Sequence, residues 1–399
     1  MQNLLRPINT VVVPEAFSVT AVAAYAGCGL RLITSQKSWA SQRLPSGPDA
    51  AIGTFLHAVF DRAARSAGES ASEIFDTELK KMTDSLRNDP ERVHFSDLTK
   101  TRSVMEWRNV RVMALSKCES LLAKSGHYHV TIDTPRGLSN GTGSEVALKS
   151  APMRISGRSD RVERTGPRSY LIMDHKTGRA FDENGNILPS IRFQLQLYAL
   201  LAEERYPKSE IRLAVETSNQ LREIEWNTDE SLRARSRLAE ITDLYPGGTT
   251  QDSAVIAAPG NECVRCAFRH ICRAYLDAAT TWWRKIPEDL STIPADIWGT
   301  VIQMIRTELG FDVTLEDAAG RCVSVRGLRD RPELHFATKG DDIALFGLER
   351  TGTGRGWNGR PFHPHEFHEQ ALDRRSKSAW STKVFIRPAL SQERCVTDS

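Results

Sequence analysis

The stretch MRISGRSDRVER at residues 153–164 leads through Thr165, Gly166 and Pro167 into SYLIMDHK at 169–176, and this pair decides the fold. Both runs alternate apolar and polar residues around a tight polar turn, the pattern of a β-hairpin with one buried face. Downstream, RFQLQLYALLAEERY at 192–206 has helical spacing, and EIRLAVETS at 210–218 and LREIEW at 221–226 read as two more strands. TDESLRARSRLAEITDLY at 228–245 returns to helix and stops at Pro246, Gly247 and Gly248. Paired strands alternating with helices predict an α/β domain.

Upstream, Ile52, Phe55, Leu56, Val59, Phe60 and Ala63 recur at helical spacing over 50–67, with Gly53, His57 and Asp61 on the adjoining stripe. Residues 70–126 read as charged helix, and the Gly, Ser and Asn residues of 136–144 mark a loop. Near the start, the extended VVVP at 11–14 precedes SVTAVAAYAGCGLRLI at 18–33, which reads as one helix carrying Cys28. From about 290 the character changes to short β-like runs, WGTVIQMI, DVTLED, RCVSVRGL and DIALFGL, separated by turns such as DAAG and KGDD. The expectation is two domains, 1–289 and 290–399, the second small, all-β and separable from the first.

With 399 residues, 40% of them hydrophobic, the chain is long enough for two or three domains with a sizeable core. Lys and Arg total 53 against 50 Asp and Glu, so a nucleic-acid surface would have to be local. No apolar run approaches the roughly 20 residues that span a bilayer, and no basic segment followed by an apolar signal core opens the chain; a cytoplasmic protein without membrane contact is expected. Seven cysteines, three of them between 263 and 272, fit a reducing compartment and a metal site better than a disulfide framework. Cys118, Cys322 and Cys395 have no partners at useful spacing and read as buried or incidental thiols.

Side chains alternate along a strand, so Asp174 and Lys176 project from one face and His175 from the other, while Gln194 and Tyr198 stand one helical turn apart. An acid-x-Lys spacing is common by chance; Glu78-Leu79-Lys80 has it too, on a charged helix with no Asp-bearing strand before it. What distinguishes Asp174 is its company. GTFLH (53–57), GRSD (157–160), MDHKTG (173–178) and QLQLY (194–198), in that order, resemble the RecB-like branch of the PD-(D/E)XK nuclease superfamily. The resemblance implies an α/β, restriction-endonuclease-like core, a mixed sheet flanked by helices. It also implies that His57, Asp160, Asp174 and the backbone carbonyl of His175 hold Mg²⁺ or Mn²⁺, and that Asp160, Asp174 and Lys176 are catalytic. Phosphodiester hydrolysis develops charge on non-bridging oxygens, which such an ion neutralises while it activates water. Lys176 would orient or deprotonate that water, Gln194 and Tyr198 would contact DNA and support the site, and Asp61 is a candidate outer acid.

Cys28, Cys263, Cys266 and Cys272, one remote and three grouped, resemble the iron-sulfur staple of RecB-like nucleases of the AddB and CRISPR-associated types. That resemblance implies a 4Fe-4S cluster tying the two flanks of the nuclease together. Zinc also accepts four cysteines, and the spacing alone does not separate the two. The run from Asp296 to about Glu369 is similar to an OB-fold, which stacks single-stranded bases on aromatics in a basic groove. Trp298, Phe346 and Trp357, with Phe336, Arg326, Arg329, Arg355 and Arg360, are the candidates there. Arg374, Arg375, Lys377, Lys383 and Arg387 form a basic tail.

Together these readings predict a metal-dependent deoxyribonuclease acting on single-stranded or frayed DNA, in repair, a CRISPR-type pathway or defence. No G-x-x-x-x-G-K-[ST] phosphate loop occurs, so unwinding would come from a helicase, and a helicase or integrase partner is expected. The other reading is a non-cleaving nucleic-acid-binding adaptor that recruits such a partner.

Overall fold

The computed structural model describes residues 5–36, 38–39, 43–44, 48–66, 68–89, 92, 96–125, 143–176, 180–217, 220–282, 296–308, 310–350, 366–369 and 383–387. The hairpin forms as its sequence predicts: β4 (Ile155–Gly166) and β5 (Ser169–His175) pair antiparallel through Arg161↔Met173 and Val162↔Ile172. β6 (Glu210–Glu216) lies parallel to β5 and β7 (Leu221–Ile224) antiparallel to β6. On the other side, β2 (Phe17–Ser18) runs parallel to β4, and β3 (Gly143–Ser150) pairs antiparallel with β4. The result is a six-stranded mixed sheet. The β5-to-β6 crossover is α6 (Pro189–Arg205), which buries Phe193, Leu197, Tyr198 and Leu201. α7 (Thr228–Leu244), capped by the Asn227 side chain on the Glu230 N–H at 3.0 Å, follows β7.

The expected single helix over 18–33 is two, α1 (Val19–Ala23) and α2 (Gly29–Thr34). Gly27 breaks it at φ 86°, a left-handed conformation that no helix continues through, and Cys28 becomes the N-cap residue of α2 rather than a helical one. Short strands β1 (Thr10–Val12) and β8 (Thr250–Asp252) pair outside the main sheet, and α8 (Ser253–Ile256) and α9 (Arg273–Trp282) follow.

Helices α3 (Pro48–Arg65), α4 (Ala71–Arg87) and α5 (Val104–Ser125) bury Ile52, Phe55, Val59, Phe75 and Leu121 against one another, in a core separate from that of the sheet. A full capping box, Ser70 with Glu73, starts α4.

The last part of the chain is a small all-β domain. β9 (Ile297–Thr307), β10 (Gly310–Glu316) and β11 (Cys322–Arg329) form an antiparallel meander, and α10 (Pro332–His335) leads to β12 (Asp342–Phe346), which pairs with β9. Gly347, at φ 84°, bends the chain into β13 (Leu348–Arg350). β13 pairs with β14 (Glu366–Glu369), itself parallel to β11, while β15 (Lys383–Arg387) pairs with β12. The buried residues of this domain and of the sheet form one continuous core. Among the described residues, no helix is long and apolar enough to cross a membrane.

Candidate active site and cysteine pocket

β5 ends beside the carboxyl end of its parallel neighbour β6, the kind of sheet edge over which side chains from several elements converge. Asp174, 3% exposed, and Lys176 share one face, with Lys176 Nζ 2.7 Å from Asp174 Oδ2. Gln194 on α6 completes a ring: it accepts from Lys176 Nζ at 3.0 Å and donates to Asp174 Oδ1 at 3.2 Å. Burial pushes the Asp174 carboxyl above its usual range, against the pull of the Lys176 ammonium.

Asp160, on β4, accepts the His175 backbone N–H on Oδ2 at 2.7 Å, and its Oδ1 lies 3.8 Å from His57 Nδ1. That separation is beyond hydrogen-bond length. Burial, then the neighbouring His175 and Lys176, lower the His57 pKa to about 4, so at neutral pH the imidazole is neutral and offers a lone pair. The His175 ring turns away from Asp174 and is buried edge-on against Phe60 at 4.7 Å and His57 at 5.8 Å.

Tyr198 is 3% exposed and donates its hydroxyl to the Arg158 carbonyl at 2.7 Å. Its ring fills the space a side chain at Gly157 would need; a Cβ there would meet Tyr198 Cε1 at 2.8 Å. GRSD and QLQLY are therefore pressed together, which explains the glycine. The ring supports β4, and so buried it has no surface to offer DNA, which corrects that part of the expectation. Asp61 pairs with Arg65 along α3, and Glu78 of the decoy pairs with Arg62 and Lys81 among the helices.

The donors expected to hold a cation are two carboxylates, one imidazole and a backbone carbonyl, an oxygen-rich set that suits Mg²⁺ or Mn²⁺. As placed, no three His, Cys, Asp or Glu side chains among the described residues are grouped to hold a metal ion. The cation against Asp174 is the Lys176 ammonium.

Cys28, Cys263, Cys266 and Cys272, all free, line one pocket together with Arg269 and Tyr275. The Gly260 N–H donates to Cys263 Sγ and the Tyr275 N–H to Cys272 Sγ, each at 3.4 Å. Burial raises the Cys263 thiol pKa and pushes Cys266 to about 11 and Cys272 to about 12. Four thiols lining one pocket are the residue type that a thiolate-bound cluster or zinc takes, since a bound metal supplies the positive charge that deprotonates buried thiols, but as placed they are not grouped to hold an ion. Cys118 is buried and Cys322 exposed, as incidental thiols, and Cys395 lies outside the described residues.

In the β domain, Trp298 and Phe346 are 2% and 1% exposed and stack on each other at 6.1 Å. They face inward on β9 and β12 and are core, which corrects their reading as base-stacking platforms. Phe336, just after α10, is 81% exposed. Arg326 pairs with Asp312 and Arg387 with Asp342, whereas Trp357, Arg355, Arg360, Arg374, Arg375 and Lys377 lie outside the described residues. Sequence reasoning missed Glu216, Lys117, Arg269 and Asp296. Glu216 carries a legible signal, an acid closing the strand EIRLAVE beside the one that bears Asp174.

Residues 16–273 match the profile of the PD-(D/E)XK nuclease superfamily. A curated relative, the CRISPR-associated exonuclease Cas4/endonuclease Cas1 fusion of Myxococcus xanthus (strain DK1622), is 27% identical over 137 residues, 32% of this chain. The match spans only 22% of that relative's length. Among solved structures, SSO0001 is 22% identical, with 51% of this chain and 97% of that one covered and a TM-score of 0.24. A candidate exonuclease of Eubacterium rectale is 11% identical, with 60% and 84% covered and a TM-score of 0.32; superpositions this loose carry no argument. The profile match covers well over half of the chain, including the hairpin, the Asp174–Lys176–Gln194 ring and all four pocket cysteines: the chain belongs to the PD-(D/E)XK nuclease superfamily.

Proposed function

We propose that the chain is a metal-dependent deoxyribonuclease that hydrolyses phosphodiester bonds of single-stranded or frayed DNA. The observation that carries this reading is the ring of Asp174, Lys176 and Gln194 at the end of β5, with Asp160 one strand away and His57 facing it. Asp160, Asp174, His57 and the His175 carbonyl would hold Mg²⁺ or Mn²⁺, which when bound neutralises charge on the phosphate and activates water. Gln194 holds the Lys176 ammonium beside Asp174, where Lys176 would orient or deprotonate the attacking water. Asp160 accepts the His175 backbone N–H, and the peptide that carries the His175 carbonyl is held by the Lys176 N–H, which donates to the Glu216 carbonyl at 2.8 Å.

The same reading assigns a 4Fe-4S cluster to Cys28, Cys263, Cys266 and Cys272, favoured over zinc by the sequence resemblance. For the β domain, an OB-type barrel is supported by the order β12-β9-β10-β11-β14, the parallel β11/β14 pair, and α10 between β11 and β12. Its single-strand contact is assigned to Phe336, the exposed aromatic among the described residues of that domain. A cytoplasmic location and a helicase or integrase partner complete the proposal; the relative that joins exonuclease Cas4 to endonuclease Cas1 favours a partner of the Cas1 kind. The test is incubation of end-labelled single- and double-stranded DNA with Mg²⁺ or Mn²⁺, with and without chelator. Chelator-sensitive shortening of the single strand is expected, and DNA bound but uncut in either metal would favour the adaptor reading.

A further inference from the structure

The catalytic residues come from two separately packed units. His57 stands on α3, in the helical unit with its own core, whereas Asp160, Asp174 and Lys176 stand on the sheet. The spacing between His57 and Asp160 therefore depends on how α3–α5 sit against the ends of β4–β6.

One residue touches the parts that set this spacing. Glu216, the last residue of β6, accepts the Lys176 backbone N–H on its carbonyl at 2.8 Å. Its carboxylate lies 3.6 Å from His175 Nδ1 through Oε2, and Oε1 takes the ammonium of Lys117, which reaches across from α5. Lys117 and Glu216 are 17% and 20% exposed, so solvent screens the pair weakly, and losing either partner leaves the other charge in a poor environment. The His175 ring that Glu216 borders is also packed edge-on against Phe60 and His57, both on α3. Contacts from both units thus converge on Glu216 and His175.

We propose that Lys117 and Glu216 are positioning residues of the hydrolytic site: they clamp α5 to the end of β6 and, through the His175 ring and the Lys176 backbone, hold His57 in register with Asp160. The proposal rests on the nuclease reading of the site.

The test uses the full chain and the variants Glu216→Gln, Lys117→Met, Lys117→Arg and the double Lys117→Met/Glu216→Gln. Mn²⁺ affinity without DNA is read from the free-ion electron paramagnetic resonance signal, and kcat and KM are measured on a single-stranded oligonucleotide. Outer residues that orient metal ligands typically alter affinity or activity by roughly 10–100-fold. Glu216→Gln and Lys117→Met are expected to lose about that much in Mn²⁺ affinity and in kcat, with KM for DNA little changed, and Lys117→Arg to recover most of it. The double variant should be no worse than either single one, because it strands no charge, and it keeps the test alive if a single variant folds poorly. Variants that bind Mn²⁺ and cut like the unaltered chain overturn the proposal, as does an equal loss in Lys117→Arg. An unaltered chain that neither binds Mn²⁺ nor cuts overturns the nuclease reading instead, so the two failures are distinguishable.

Discussion

Arg269 and Asp296 form a buried ion pair, Nε to Oδ2 at 2.5 Å, that joins the cysteine pocket to the β domain. Arg269 lines the pocket, and Asp296, with no exposed surface, leads into β9. Tyr275, on the same pocket wall, donates to Asp296 Oδ2 at 2.5 Å, and the Gly347 N–H donates to Oδ1 at 2.8 Å. Every one of these partners is lost together if Asp296 goes.

Asp296→Ala should therefore destabilise the protein by about 3–5 kcal/mol, the usual cost of leaving a buried charge without its partner. Urea unfolding followed by circular dichroism measures it, and the paired replacement Arg269→Met/Asp296→Leu should recover much of the loss. The same contact means that a chain cut at 289 strands Arg269, so the β domain is less separable than its sequence suggests. Such a truncation should unfold at lower urea than the full chain; an unchanged midpoint would count against the coupling.

In the β domain, two aromatics should behave oppositely. Trp298→Ala removes a fully packed ring and should cost roughly 3–5 kcal/mol of stability, with DNA affinity of the folded protein unaltered. Phe336→Ala should leave stability within about 0.5 kcal/mol, as exposed substitutions do, and weaken single-strand binding by the roughly 1–3 kcal/mol that one stacked base contributes. Fluorescence anisotropy with a labelled oligonucleotide reads the difference. A Phe336→Ala protein that binds as tightly as the unaltered chain would remove the stacking assignment.

Much of the fold is legible because its two periods are clean. Alternation in 153–176 gives β4 and β5, and the apolar stripe of 50–67 gives α3. The Asp174–Lys176 relationship follows from strand alternation alone, and the contact of Gly157 with Tyr198 explains why GRSD and QLQLY accompany one another. What period cannot report is distance across the fold. Lys117 and Glu216 are 99 residues apart, and nothing local to either names the other. Trp298 and Phe346 were misread for a related reason: an aromatic in a short β run has two faces available, and neighbouring arginines do not say which one it takes. The break at Gly27 in the helix expected over 18–33 is not legible, because a glycine at positive φ has no signature beyond being glycine.

The four pocket cysteines should bring a metal with them. Anaerobically purified protein is expected to be brown, with about four iron and four sulfide per chain, and Cys266→Ser should lose the colour together with thermal stability. Elemental analysis and ultraviolet–visible absorption measure this. Stoichiometric zinc without iron would replace the iron-sulfur assignment while leaving the pocket a metal site.

The most direct test of the central claim is cleavage by Asp174→Ala and Lys176→Ala beside the unaltered chain, on an end-labelled single strand with Mn²⁺, with DNA binding measured on the same preparations. Asp174 is predicted to hold the metal and Lys176 to orient or deprotonate the attacking water. Both variants should lose cutting by a factor on the order of a thousand or more, the scale of removing one preorganised charge from a transition state, while binding DNA as before. Cleavage by both variants at the rate of the unaltered chain would contradict the account.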